Sequence, residues 1–180
     1  GGPIIGGFAD KYSAQVKSLS FIAPAGFGKV QTSIPFFMKI PGVIEWAMHV
    51  LADRFYGSAI SSETAHSNDP LSINEEEFQQ LFSFQMQFKG FRESLASTMR
   101  NFNLFDAREM FEKVAAKNIP SIAIWGDNDG IVSYKGAETY SEIFHEGKVI
   151  TIEDGTHDIT YRQPSDVLEA IKIFLASQIS

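Results

Sequence analysis

The sequence predicts an α/β domain built on a mostly parallel sheet and interrupted by a helical insertion. Short apolar runs at 16–24, 120–125 and 148–152 each end in a loop rich in Gly, Pro or Asp, the pattern of buried parallel strands. Amphipathic segments separate these runs, giving the order helix, strand, helical insertion, helix, strand, helix, strand, helix. Residues 33–105 have a different character, with apolar and aromatic residues at helical spacing. The implied organisation is a core at 1–32, an insertion at 33–105 and a return to the core at 106–180.

The first helix spans Gly2 to Tyr12. Gly2, Gly6 and Gly7 each cost it about 1 kcal/mol relative to Ala, which a close approach to the sheet would offset; a flexible chain end is the plainer alternative. After a turn at Tyr12-Ser13-Ala14, Val16 to Pro24 reads as a strand closed by Pro24, Gly26 and Gly28. In the insertion, Val43 to Ala52 is apolar on nearly every side and reads as a buried helix. Residues 61–70 read as a polar loop. Asn74 and Glu77 have the spacing of a capping box, and Phe78, Leu81, Phe82, Gln85, Met86, Phe88 and Phe91 form one broad helical face. Core packing is the plain reading of that face, and a ligand-facing wall is the other. Gly90 marks a break before a helix carrying Leu95 and Met99. Asp106 and Glu109 repeat the capping spacing for a helix through about Lys117. Pro120 to Trp125 and Lys148 to Ile152 are strands. Ser165-Asp166 starts the last helix, with Val167, Leu168, Ile171, Phe174 and Leu175 on one face. Three strands make a poor complete sheet, so partner strands are expected from a segment preceding Gly1 or from another chain. Homodimerisation through an exposed sheet edge is one form of this.

The composition narrows the function. With 180 residues, 44% of them hydrophobic, the chain is long enough for one buried core. Its formal charge is −7, and Lys11, Lys17, Lys113 and Lys117 read as ordinary solvated faces, so a nucleic-acid partner is not expected. The chain has no cysteine, which excludes disulfides and a cysteine nucleophile but does not indicate a compartment. No run approaches the roughly 20 apolar residues of a membrane span, and no signal peptide is legible. His49, His66 and His145 lack the spacing of a metal site, and the early glycines lack the lysine of a nucleotide loop. Neither a metal nor a cofactor is expected.

The chemistry concentrates after two strand ends. Asp129 follows Ile122-Ala123-Ile124-Trp125-Gly126, and His157 follows Ile150-Thr151-Ile152-Glu153-Asp154-Gly155-Thr156. Parallel sheets bind ligands at the carboxyl ends of their strands. Taken alone, an Asp in such a turn is more often a turn former and a loop His more often inert. Together, on neighbouring strands, they read as an acid that orients a histidine base.

Gly126-Asp127-Asn128-Asp129 and Gly155-Thr156-His157 resemble the acid and histidine motifs of α/β-hydrolases of the lipase, esterase and meta-cleavage-product hydrolase group, and the resemblance covers the whole chain. Gly1-Gly2 resemble the closing glycines of that family's Gly-x-Ser-x-Gly elbow, which puts the nucleophile two positions before Gly1. The resemblance implies a C-terminal part of an α/β-hydrolase fold with a helical cap at 33–105. It assigns Asp129 as the acid, leaves Asp127 outside the triad, and keeps the family order of nucleophile, acid, histidine. Ser133 stands where the family often has Pro. With a Ser nucleophile, the implied activity is hydrolysis of a carboxylic ester or related acyl substrate. An Asp there implies a haloalkane dehalogenase or epoxide hydrolase, and a non-nucleophile implies an interaction protein that keeps the fold. An isolated fragment that cannot catalyse alone is a further expectation. Phe36, Phe37, Trp46, Met48, Phe82, Phe88 and Phe91 are the candidate lining for a small apolar substrate.

Overall fold

The computed structural model describes residues 1–28, 40, 42–44, 46, 47, 50, 68–101 and 106–178. The chain divides into two compact units. One comprises Gly1–Gln31, Ala65–Ser72 and Leu104–Ser180, and the other Thr32–Thr64 and Ile73–Asn103.

The first unit holds a sheet of three described strands, β1 (Leu19–Ile22), β2 (Ser121–Gly126) and β3 (Lys148–Ile152), in that order and all parallel. Leu19 is in register with Ser121, and Ile122 with Lys148. Every residue of β2 is buried. Because alternate side chains point to opposite faces, this strand feeds two cores. Ala123 and Trp125 join Phe21, Phe27, Phe111, Tyr140 and Phe144 on one face. Ile122 and Ile124 join Ile152, Ile159, Val167, Ala170 and Phe174 on the other. Phe27 and Phe111 stack with centroids 4.0 Å apart, and Phe21 meets each of them edge-on. Each large apolar side chain buried in this way contributes about 1.5–3 kcal/mol. The Tyr140 hydroxyl lies 2.7 Å from Ser121 Oγ inside this core, and burial pushes the phenol up to about 12.

Helix α1 (Gly2–Lys11) starts with Pro3 in its first turn, where a missing N–H costs nothing. A Cβ on Gly2 would lie 2.3 Å from Ala25 O, and one on Gly6 2.5 Å from Met110 Cε. Two of the three early glycines thus serve close packing, while Gly7 has only an ordinary contact with Met110. The first strand is shorter than expected: it pairs only from Leu19 to Ile22 and ends before Ala23, which has a positive φ of 41°.

Unit two contains α2 (Glu75–Met86) and α3 (Phe91–Asn101). The Asn74 capping box is present: its side chain accepts from the Glu77 amide at 2.9 Å, and Glu77 Oε2 accepts from the Asn74 amide at 3.0 Å. Gly90 separates the two helices with φ +89°, a conformation that favours glycine. No residue of α2 is buried. Residues 43, 44, 46, 47 and 50 are helical, and Ile44 packs with Ala96 and Leu95.

Back in the first unit lie α4 (Arg108–Ala115), α5 (Gly136–Ile143), α6 (Ile159–Arg162) and α7 (Pro164–Ser177). The expected capping box at Asp106 and Glu109 does not form. Asp106 instead pairs with Phe27 in an antiparallel bridge, its carboxylate accepts from the Arg108 amide, and Glu109 bonds Lys113. The helix consequently starts later, with Ala107 as its cap. On α7 the expected Val167 and Phe174 are buried and Ile171 packs partly buried beside them, but Ala170 joins this face and Leu168 and Leu175 are exposed. Asp69 receives the start of α7: its carboxylate accepts from the Ser165 amide at 2.8 Å and the Ser165 hydroxyl at 2.9 Å. A carboxylate there also complements the positive end of the helix dipole.

Candidate active site

The site is built where β2 and β3 end side by side, and two glycines let the loops that follow touch. A Cβ on Gly126 would lie 2.1 Å from Gly155 O, and one on Gly155 would lie 2.8 Å from Gly126 Cα. No side chain fits between these backbones. Hydrogen bonds then join the loops: the Asp127 amide donates to Ile152 O at 3.2 Å and the Asn128 amide to Gly155 O at 2.9 Å. The Asn128 side-chain amide reaches Asp154 Oδ1 at 3.3 Å, and Asp154 holds a positive φ of 53° at the turn.

This junction brings Asp129 and His157 together, with Asp129 Oδ2 2.9 Å from His157 Nδ1. The Asp129 side chain has no exposed surface, whereas that of His157 is 34% exposed. The other carboxylate oxygen, Oδ1, accepts from the amides of Ile131 at 2.9 Å and Val132 at 2.7 Å. A buried carboxylate is tolerable only when bonded in this way. The acid loop is itself held by the buried Trp125, whose indole N–H donates to Val132 O at 2.9 Å. Ser133, where the family often has Pro, accepts from the Lys135 amide through its hydroxyl at 3.4 Å and so opens α5 as a polar turn former. Asp127 is exposed.

The pair therefore presents a histidine whose Nδ1 is committed to a buried carboxylate. That bond fixes the tautomer and ring orientation of the imidazole. No Gly-x-Ser-x-Gly sequence occurs within the 180 residues. Among the described residues no group of three His, Cys, Asp or Glu side chains is arranged to hold a metal ion, and no helix is long and apolar enough to cross a membrane. His145 is exposed, and His49 and His66 lie outside the described residues.

Of the candidate substrate-lining residues, Phe36, Phe37 and Met48 lie outside the described residues. Trp46 and Phe88 are exposed, and Phe82 and Phe91 are half-buried. Phe88 packs edge-on against Phe84 with centroids 5.2 Å apart, a partner absent from the expected helical face. The glycine contact, the Asn128–Asp154 bond and the Trp125 anchor are the supporting features that sequence reasoning missed. A glycine at the end of each of two adjacent strands was their one visible signal.

No family model matches the chain. It is 26% identical over 191 aligned positions to lipase 3 of Moraxella sp. (strain TA144), covering 97% of this chain and 53% of that protein. It is 23% identical over 186 positions to monoacylglycerol lipase ABHD6 of Mus musculus, covering 98% and 53%. Among solved structures it is similar to a serine hydrolase involved in carbazole degradation, the CarC enzyme, with a TM-score of 0.60 and 17% identity, covering 95% of this chain and 58% of that one. The chain spans about half the length of the curated relatives it matches. Its fold is part of an α/β-hydrolase fold, related to that of lipases, esterases and meta-cleavage-product hydrolases, with three parallel strands among the described residues and a helical insertion.

Proposed function

We propose that this chain supplies the acid and the histidine of a serine hydrolase that cleaves a carboxylic ester or related acyl bond of an apolar substrate. The observation that carries this reading is the 2.9 Å bond between His157 Nδ1 and the buried carboxylate of Asp129. The similarity to two lipases supports the choice of acyl chemistry. The reading places the serine two positions before Gly1, in a preceding segment that also completes the sheet beside β1.

In the proposed cycle, His157 Nε2 takes the serine proton as the serine oxygen bonds to the acyl carbon, and the resulting imidazolium is stabilised by Asp129. The tetrahedral oxyanion is held by the amide after the nucleophile and a second amide from an early strand loop. Collapse expels the alcohol, which takes the proton from Nε2 and leaves an acyl-serine. Water, deprotonated by the same nitrogen, attacks the acyl carbon. The serine oxygen leaves with that proton, and the acid is released. Phe36, Phe37, Trp46, Met48, Phe82, Phe88 and Phe91 are proposed to select the apolar acyl group.

His157→Ala in the full protein tests this reading against a short aryl ester. Turnover is expected to fall by several orders of magnitude with substrate binding retained, and unchanged turnover would refute it. An aspartate at the nucleophile position would move the chemistry to dehalogenation or epoxide opening, and a residue without a nucleophilic side chain would make the protein an interaction module.

A further inference from the structure

We infer that Thr156, Asp158 and Arg162 form a brace around His157, with Asp158 acting as a positioning residue; this rests on the reading of His157 as the general base. The two chain neighbours of the histidine are bonded to each other, since the Thr156 hydroxyl donates to Asp158 Oδ1. The second carboxylate oxygen, Oδ2, accepts from Arg162 Nε at 3.0 Å. Arg162 is mostly buried: its side chain is 10% exposed and that of Asp158 19%, and Ile159, between them in the short helix α6, is fully buried. The Arg162 amide donates to Asp158 O at 3.0 Å, so side chain and backbone tie the same two residues.

The consequence is geometric. His157 sits in a loop, and its ring must keep Nδ1 on Asp129 while Nε2 faces a nucleophile. A hydrogen bond bridging residues 156 and 158 closes a small ring of covalent and hydrogen bonds through the His157 backbone, and the Arg162 guanidinium ties that ring to helix α6. The φ and ψ of residue 157 are thereby restrained before substrate arrives. His157 Nδ1 bonds Asp129 Oδ2, while the two oxygens of Asp158 accept from Thr156 and Arg162. An exposed i,i+4 ion pair would count for little; this one is mostly buried, where loss of one partner strands a charge.

A purely structural role would make α6 more stable and leave each folded molecule equally active. The variants Thr156→Val, Thr156→Ser and Asp158→Asn, made in the full protein beside His157→Ala, separate the two roles. Three quantities would be read: kcat and KM with an aryl ester, the thermal midpoint, and the downfield NMR signal of the His157 Nδ1 proton. The brace predicts that Thr156→Val and Asp158→Asn lower kcat about 10- to 100-fold, the range for a small misplacement of a reacting group. KM should stay within about twofold, the Nδ1 proton signal should weaken, and Thr156→Ser should restore kcat. If His157→Ala is inactive but Thr156→Val and Asp158→Asn keep wild-type kcat, the brace is overturned even if their thermal midpoints drop. If His157→Ala is fully active, the hydrolase reading fails first and the brace falls with it. Should Asp158→Asn not fold, Thr156→Val still decides, because it removes one hydroxyl and no charge.

Discussion

Gly155→Ala should disable the site without touching either of its acid–base groups. Neither Gly155 nor Gly126 has a positive φ, so alanine suits both backbones and the cost is one of space. The added Cβ would lie 2.8 Å from Gly126 Cα and 2.9 Å from both Ile152 O and Ile159 Cγ2. Carbon atoms rest about 3.5–4.0 Å apart, so the two loops must separate by about 0.7–1.2 Å. The bond between Asp129 and His157 starts at 2.9 Å and is lost beyond about 3.5 Å. Overpacking of this kind costs about 1–3 kcal/mol of stability, and a misplacement near 1 Å costs about 100-fold in rate. Gly126→Ala should be worse, because its Cβ would meet Gly155 O at 2.1 Å, the acceptor for the Asn128 amide. Steady-state turnover of an aryl ester by the full protein, with thermal midpoints of both variants, measures the two effects together. Wild-type kcat and an unchanged midpoint for Gly155→Ala would refute the claim that glycine contact sets the spacing of the two catalytic loops.

Further outcomes follow from the same geometry. Asp129→Asn should lower kcat by about four orders of magnitude, because an amide favours the wrong imidazole tautomer; pH–rate profiles of the variant and its parent test this. Asp127→Asn, at an exposed position, should stay within a few-fold of the parent, and a larger loss than that of Asp129→Asn would reverse the choice of acid. At Asp69, desolvation pushes the carboxyl up, but the amides of Leu71 and Ser165 and the Ser165 hydroxyl outweigh it and hold it below its usual range. A carboxyl depressed in the folded state adds stability that is present above the ordinary carboxylate range and lost as pH falls through the folded value. The difference in urea midpoint between the parent and Asp69→Asn should therefore be present at neutral pH and close on acidification, and a difference independent of pH would contradict it.

Much of the architecture was legible because it depends on local chemistry. The apolar run of β2 is buried throughout, and Asn74 with Glu77 forms the capping box that its spacing implies. The placement of Asp129 and His157 after adjacent strand ends brings them into contact once the sheet is parallel. Features that depend on tertiary neighbours were not legible. Asp106 has the residue type of a helix cap, yet pairing with Phe27 claims its backbone. In α7, periodicity finds the apolar positions, but it does not distinguish Ala170, which is buried, from Leu168, which is exposed. The Asp158–Arg162 pair is not singled out by the sequence, where i,i+4 spacing alone carries little signal; burial is what gives it consequence. Similarly, nothing in an isolated glycine reveals that a second glycine 29 positions away lies against it.

The central claim is that Asp129 and His157 serve a serine two positions before Gly1. Labelling the full protein with a fluorophosphonate probe, followed by peptide mapping, tests it directly. The account predicts one adduct on that serine, formed rapidly in the parent and slowly in His157→Ala. An adduct on another residue, or labelling indifferent to His157, would contradict it.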